Sequence, residues 1–439
     1  MKKVVKFGGS SLANAEQFKK VGAIISEDEA RRYVVPSAPG KRFAADIKVT
    51  DMLYACYEAA VNGEDFSGLL DCIQERYQEI INGLNLEFSL KDDFALIAEN
   101  FRNKIGEDYA ASRGEYLNGK IMAAYLDTEF VDAAEVIRFN PDGSFNDEVT
   151  NDLLSARLND LHSAVIPGFY GAKEDGSIVT FSRGGSDITG SLVALAVKAD
   201  LYENWTDVSG FLIADPRIVK NPKSIETITY KELRELSYMG ASVLHEDAIF
   251  PVRKAGIPIN IRNTNAPEDK GTLIVESTCR QPRYTITGIA GTDGFAAITV
   301  EKAMMNSEVG FCRKVLQIFE DNGVSIEHMP SGIDTMSIFV NKDSFEEKEQ
   351  KILSDINKSV HPDHIELESD LALIAVVGRG MRSTRGTAGR IFSALAHAHI
   401  NVKMIDQGSS ELNIIVGVKH EDFKNAIRAL YEIFVLTQI

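Results

Sequence analysis

Lys3-Val4-Val5-Lys6-Phe7-Gly8-Gly9-Ser10-Ser11 is the stretch that decides the fold class. A short apolar run of strand type ends in two glycines, an amphipathic run follows from Leu12 to about Ser26, and Tyr33 to Val35 returns to the strand pattern. Strand, glycine turn, helix and strand in that order make a βαβ unit, so the chain starts as an α/β protein with a parallel sheet.

Outward from this unit, the spacing from Thr50 to about Tyr125 is helical, with helix ends predicted at Asn62-Gly63 and Asn82-Gly83. After a polar turn at Asn140-Pro141-Asp142-Gly143-Ser144, strands are predicted at Ala164 to Pro167, Ile178 to Phe181, Leu201 to Trp205 and Ile257 to Ile261. Helical stretches at Ser186 to Lys198 and Tyr230 to Tyr238 alternate with them, and the α/β domain closes near Val275. The polar stretch Ser277 to Pro282 reads as a linker. Beyond it one pattern occurs twice at an offset of 76 residues: Arg313 to Gly332 lies against Gly389 to Gly408, and Ile338 to Val340 falls on Ile414 to Val416. Each copy has the element order of a ferredoxin-like βαββαβ unit. The boundaries expected are 1–282 for the α/β domain, 283–365 for the first repeat and 366–439 for the second, whose C-terminal end is a candidate to complete the first.

The bulk properties narrow the function. The 439 residues correspond to about three domains at roughly 150 residues each. With 44 % hydrophobic and 25 % charged residues the composition is that of an ordinary globular protein. The 64 acidic and 47 basic side chains give a net charge of −17, a field that repels nucleic acid and anionic membranes. The basic N-terminus has no apolar segment behind it and no apolar run reaches about 18 residues, so a cytoplasmic setting is expected. Cys56, Cys72, Cys279 and Cys312 show no metal-type spacing and are expected to be reduced packing thiols.

Against that negative field, three clusters concentrate groups suited to anions. Lys6-Phe7-Gly8-Gly9-Ser10 sets a lysine at a strand end beside glycines whose backbone N–H groups can turn toward a phosphate, although a Gly-Gly pair taken alone is more often just a tight turn. Phe181-Ser182-Arg183-Gly184-Gly185-Ser186-Asp187 repeats the arrangement with a guanidinium suited to a carboxylate, while Ser186 or Asp187 also fits a helix cap. Trp205-Thr206-Asp207-Val208-Ser209-Gly210, continuing to Asp215-Pro216-Arg217, offers polar groups to a nucleotide or, read alone, a solvated turn. Ser112-Arg113-Gly114-Glu115 lies on a helical run, where both charges are surface charges unless Glu115 turns into the crevice to meet an ammonium.

These motifs, together with Pro36-Ser37-Ala38-Pro39-Gly40, Thr50-Asp51-Met52-Leu53, Met239-Gly240-Ala241 and Val243-Leu244-His245, resemble the aspartokinases in order and spacing over nearly the whole chain. The resemblance implies an αβα sandwich of the amino-acid kinase, carbamate-kinase-like type, plus two ferredoxin-like ACT domains. It also implies ATP-dependent phosphorylation of L-aspartate to 4-phospho-L-aspartate, at the head of lysine, threonine and methionine synthesis. The chain looks like the monofunctional, lysine-sensitive members. Carried to matching positions, Lys6, Gly8, Gly9 and Ser10 would hold ATP phosphates, and Thr50, Glu115, Arg183 and Ser186 would hold aspartate. Asp187 would order the cationic groups around the transferring phosphoryl. Thr206, Asp207, Leu212, Arg217 and Ser242 would line the nucleotide site, with Mg²⁺ carried by the nucleotide phosphates rather than by a protein cluster. Ser242 and Leu212 depart from the family, which commonly has lysine and an aromatic there. Asn306, Glu308, Gly310, Phe311, Ser325, Ile326, Glu327 and Asp334 would bind an effector amino acid, lysine first and threonine second, and ACT edges would pair into a homodimer or homotetramer. Two other readings stand beside this one: another amino-acid kinase, such as one acting on acetylglutamate, and a non-catalytic amino-acid-sensing regulator.

Overall fold

The computed structural model describes residues 1–182, 184–241, 244, 246–278 and 284–437, with only the backbone of 246 and 247. The chain forms two compact units: residues 1–211, 224–230 and 243–278 make the first, and 212–223, 231–242 and 279–439 the second.

The strands of the first unit are β1 (Lys3–Phe7), β2 (Arg31–Pro36), β3 (Glu129–Phe130), β4 (Ala164–Val165), β5 (Tyr170–Ala172), β6 (Ile178–Thr180), β7 (Leu201–Thr206), β8 (Thr227–Thr229), β9 (Ile259–Asn263) and β10 (Thr272–Val275). Eight of them build one sheet in the order β3-β4-β2-β1-β7-β9-β10-β8, parallel throughout except where β10 runs against β9. The predicted strand at Ile178 to Phe181 is not in this sheet. As β6 it pairs antiparallel with β5 in a separate two-stranded hairpin. The predicted helix from Leu12 starts later, at Ala15, because Asn14 caps it by accepting a hydrogen bond from the Gln17 N–H at 3.0 Å, and Gly9–Leu12 forms a 3₁₀ turn instead.

Period-two alternation along β1 sorts its side chains to the two faces of the sheet. Val5 and Phe7, with Val34, Val165 and Trp205 of neighbouring strands, join one core with the helices Ala15–Ser26, Val49–Asn62, Ser67–Gly83, Lys91–Arg102 and Glu107–Leu126. The helix Gly185–Ala196 packs against β1, β2 and β7, and the helices Asp147–Leu158 and Glu246–Lys254 pack against it in turn. A Cβ at Gly190 of that helix would lie 2.5 Å from the Tyr202 hydroxyl, so glycine is what permits its approach to β7. Cys56 is a packing thiol, as expected. Cys72 is exposed, because its helix turns it away from the core, and Cys279 lies outside the described residues. Among the described residues no helix is long and apolar enough to cross a membrane.

The second unit is built on one six-stranded sheet. Its strands are β11 (Gly288–Glu301), β12 (Ile326–His328), β13 (Thr335–Asn341), β14 (His364–Val377), β15 (Met404–Asp406) and β16 (Asn413–Lys419), in the order β12-β13-β11-β14-β16-β15. Strands β11 and β14 pair antiparallel over nearly their whole lengths. Phe295–Glu301 of β11 carries β13, whereas Leu371–Val377 of β14 carries β16, so each repeat uses half of the other's long strand as its fourth. The stretch completing the second repeat is Gly288–Asp293 of β11, and Glu432–Leu436 at the C-terminal end is helical. The repeat helices Phe311–Asp321 and Thr387–His397 keep the 76-residue offset. The strands do not: β13 starts at Thr335 and β16 at Asn413, 78 residues on. Laying Ile338 to Val340 on Ile414 to Val416 is therefore two residues out of register. A slip of two returns every side chain to the same face of a strand, which is why the apolar pattern does not reveal it. Most of the predicted linker, residues 279–282, lies outside the described residues.

Candidate active site

The site is assembled at the carboxyl ends of the central parallel strands, the position that open α/β sheets reserve for ligands. Alternation turns Lys6 away from the Val5 and Phe7 core, and the parallel register sets it beside Asn204 of β7. Both reach one acceptor: Lys6 Nζ lies 2.7 Å and Asn204 Nδ2 2.8 Å from Asp187 Oδ1, in the first turn of the helix Gly185–Ala196. Lys6 is 8 % exposed, so this is a largely desolvated ion pair with an amide fixing its geometry. Ser186, next to Asp187, is also buried.

The glycine turn that follows β1 is held on two sides. The Gly8 N–H donates to the Trp205 carbonyl at 3.0 Å, and the Gly9 carbonyl accepts from the Gly40 N–H at 2.8 Å. A Cβ on Gly9 would come within 2.8 Å of the Ala38 carbonyl, and one on Gly40 within 2.5 Å of the Gly9 carbonyl carbon, so the two backbones touch as only glycines allow. Ser10 is exposed at the start of the 3₁₀ turn, while Ser11 is buried with its hydroxyl 2.7 Å from that of Thr264.

Glu115 does not lie on the surface, the usual place for a helical glutamate. It is 6 % exposed on the helix Glu107–Leu126, and among the described residues its Oε2 has no hydrogen-bond partner. Burial pushes its carboxyl up to about 8, against the opposing pull of the Ala38 backbone and the charge of Lys6. A buried carboxyl with an unmatched oxygen fits an incoming ammonium. Asn118, one turn on, ties this helix to the loop after β2 by donating to the Ser37 carbonyl at 2.6 Å. Thr50 lies beside it: a Cβ on Gly114 would be 3.8 Å from the Thr50 hydroxyl. Arg113 is also buried, its guanidinium over the rings of Tyr109, Tyr116 and Tyr170 at 4.5, 4.3 and 5.4 Å.

The remaining candidates are placed differently. Thr206 ends β7 and its hydroxyl donates to Asp207 at 3.2 Å. Trp205 before it is a core residue without exposed surface, its indole N–H donating to the buried Glu203 at 2.9 Å. Leu212 and Arg217 belong to the second unit, and Arg217 is not a free cation but is bound to Asp215 of its own turn at 2.6 Å. Arg183 and Ser242 lie outside the described residues. In the first repeat Glu308 is bridged by Lys302 at 2.6 Å and Lys314 at 2.8 Å, which together hold its carboxyl down to about 2. Phe311 is buried under the Lys302 ammonium, Gly310 caps the helix with a φ of 84°, and Glu327 accepts from the Tyr238 hydroxyl. Asp334 accepts from the Met304 N–H at 2.9 Å, Ile326 is half-buried, and Asn306 and Ser325 are exposed.

Sequence reasoning gave no role to Asn204, and it singled out Ala38 and Gly40 only as part of the stretch Pro36 to Gly40. A signal existed for the first, since Asn204 stands inside the predicted strand Leu201 to Trp205, where a polar side chain is unusual. For Gly40 the motif gave a place but not a contact, because the contact depends on which turn packs against it.

Residues 1–263 match the amino acid kinase family and residues 374–434 match the ACT domain. The fold and site thus define an amino acid kinase that carries an ACT domain. Aspartokinase 3 of Bacillus subtilis (strain 168) is 42 % identical, over 98 % of each chain. The crystal structure of Clostridium acetobutylicum aspartate kinase is 53 % identical with a TM-score of 0.91, covering 99 % of this chain and 100 % of that one. That of E. coli aspartokinase III in complex with lysine and aspartate is 25 % identical with a TM-score of 0.74, covering 98 % and 99 %. The chain belongs to the aspartokinases, the kinases that phosphorylate aspartate.

Proposed function

We propose that the chain transfers the γ-phosphoryl group of ATP to the side-chain carboxylate of L-aspartate, giving 4-phospho-L-aspartate, with Lys6 and Asp187 at the transfer centre. The observation that carries the substrate assignment is the buried Glu115 carboxyl with its unpartnered oxygen, which matches the ammonium of an amino acid and not a simple diacid. Thr50, Ser186 and Arg183 complete the aspartate subsite in this reading. The N–H groups of Gly9 and Ser10, with Gly8 and Lys6, would hold the nucleotide phosphates. Thr206 and Asp207 would contact the rest of the nucleotide. ATP supplies the phosphoryl group and Mg²⁺ the counter-charge to its phosphates.

An aspartate carboxylate has a pKa of about 3.9 and is already nucleophilic at neutral pH, so no general base is needed. The barrier is the approach of one anion to another. Lys6 sits where positive charge offsets that repulsion, and Asp187 with Asn204 keeps its ammonium from wandering. Catalysis is then positioning and fixed electrostatics.

The same proposal places the enzyme in the cytoplasm at the entry to lysine, threonine and methionine synthesis, inhibited by lysine. Support for lysine comes from the E. coli aspartokinase III structure in complex with lysine and aspartate. The open edges β12 and β15 support assembly through the ACT sheet. The test is ATP-dependent acyl-hydroxamate formation in hydroxylamine and Mg²⁺ with aspartate, glutamate or acetylglutamate. Product from aspartate alone is expected; product from acetylglutamate, or none while ATP is bound, overturns the proposal.

A further inference from the structure

The loop from Ser37 to Lys48 joins β2 to the helix that begins at Val49, and its residues 41–48 form no strand or helix. Its near end touches the site at two points, the Gly40 N–H on the Gly9 carbonyl at 2.8 Å and the Ser37 carbonyl on Asn118 at 2.6 Å. Its far end delivers Thr50. Something must fix an excursion from Ser37 to Lys48, because a free loop would leave both ends to fluctuate.

Across the neck the Val49 N–H meets the Pro39 carbonyl at 3.5 Å, and among the described residues the buried side chain that fastens the loop is an arginine. Arg76, on the helix Ser67–Gly83, is 4 % exposed. Its Nη1 donates to the Ile47 carbonyl at 2.6 Å, and its Nη2 donates to the Gly40 carbonyl and lies 3.2 Å from Asp46 Oδ2. The planar fork thus grips both ends of the loop at once, which the point charge of a lysine cannot do. Arg42 closes over the outside of Asp46, with Nε at 3.0 Å, and reaches Glu79 of the same helix at 3.1 Å, but this bridge is solvent-exposed and touches neither carbonyl. Gly40 is thereby gripped from two sides: its carbonyl by Arg76 and its N–H by Gly9.

We infer that Arg76 is a positioning residue for phosphoryl transfer, holding the Gly40 to Ile47 loop so that the Gly9 turn and Thr50 keep their places together. It touches neither substrate, and the inference rests on the site reading above. Displacement of about 1 Å at a reacting centre costs on the order of 100-fold in rate. Arg76→Ala is therefore expected to lower kcat by about 10- to 100-fold and to raise the KM for ATP and for aspartate together, at a temperature well below the variant's own Tm. Arg76→Lys, which keeps the charge and loses the fork, should fall in the same range and carries the test if Arg76→Ala does not fold. Added guanidinium at millimolar concentration should restore part of the Arg76→Ala rate, a response that a merely structural lesion would not give. Arg42→Ala serves as the control, within about twofold of wild type. Rates within twofold of wild type for Arg76→Lys, or a loss confined to Tm, overturn the inference. If Lys6→Ala also leaves turnover intact, the site reading itself fails; if Lys6→Ala abolishes turnover while Arg76→Lys does not, only the positioning role fails.

Discussion

Glu115→Gln separates the cost of a buried carboxyl from its use. In the native chain burial raises its pKa from 4.5 to about 8. That difference corresponds to on the order of 5 kcal/mol between the two protonation states. The direction follows from proton counting: between about pH 4.5 and 8 the native chain keeps a proton that the unfolded chain has released. Stability from this group is therefore full below pH 4.5, declines as pH rises, and is gone above pH 8. Glutamine has nearly the same shape and never ionises. Glu115→Gln should match wild type in thermal unfolding near pH 4.5, then become progressively the more stable protein up to about pH 8, with the difference constant beyond. The opposite effect is expected on substrate. An ammonium beside Oε2 favours the ionised carboxyl, so aspartate binding to wild type at pH 7 should release a proton, seen as a dependence of calorimetric enthalpy on buffer. The variant should lose that release and about 100-fold in aspartate affinity, the scale of a charge-assisted bond worth up to about 3 kcal/mol. A variant with the wild-type pH slope, or with aspartate KM within twofold, would show that Glu115 is neither strained by burial nor matched to an ammonium.

Two further outcomes follow from particular contacts. Gly9→Ala should abolish most activity and lower Tm, because its Cβ would sit 2.8 Å from the Ala38 carbonyl, whereas Gly8→Ala meets nothing closer than 3.6 Å and should fold with an unchanged Tm; equal melting losses would refute the close-approach reading. Lysine should inhibit hydroxamate formation, and Glu327→Ala should raise the half-inhibiting concentration by about tenfold, the worth of one modest charge-assisted bond; an unchanged inhibition curve would remove Glu327 from the effector site.

Much of this was legible in the sequence because local rules and global fold agree. The Lys3 to Phe7 strand, the Gly8-Gly9 turn and the helix ends near Gly63 and Gly83 are each set by residues close in the chain. What was not legible depends on register and packing. Glu115 was singled out as a candidate for an ammonium, but helical spacing alone left it open whether it faces solvent, and only packing makes it buried. The pairing of Asn204 with Lys6 depends on which strands become neighbours and in what register, which no spacing along one chain specifies. The strand expected at Ile178 to Phe181 lies in a peripheral hairpin and not in the central sheet, because so short a run of strand type fits either place equally. Arg217 supplied positive charge on paper, but Asp215 two residues earlier holds it.

The most direct measurement is the effect of Lys6→Ala on turnover and on aspartate binding in the same protein. Lys6 pairs with Asp187 at 2.7 Å at the end of β1, where the proposal brings a phosphoryl group and a carboxylate together. If its charge lowers the transfer barrier, kcat should fall by at least about 100-fold while the calorimetric Kd for aspartate changes by less than about threefold. Near-normal turnover, or a loss confined to aspartate affinity, would contradict the assignment of this pair to the transfer centre.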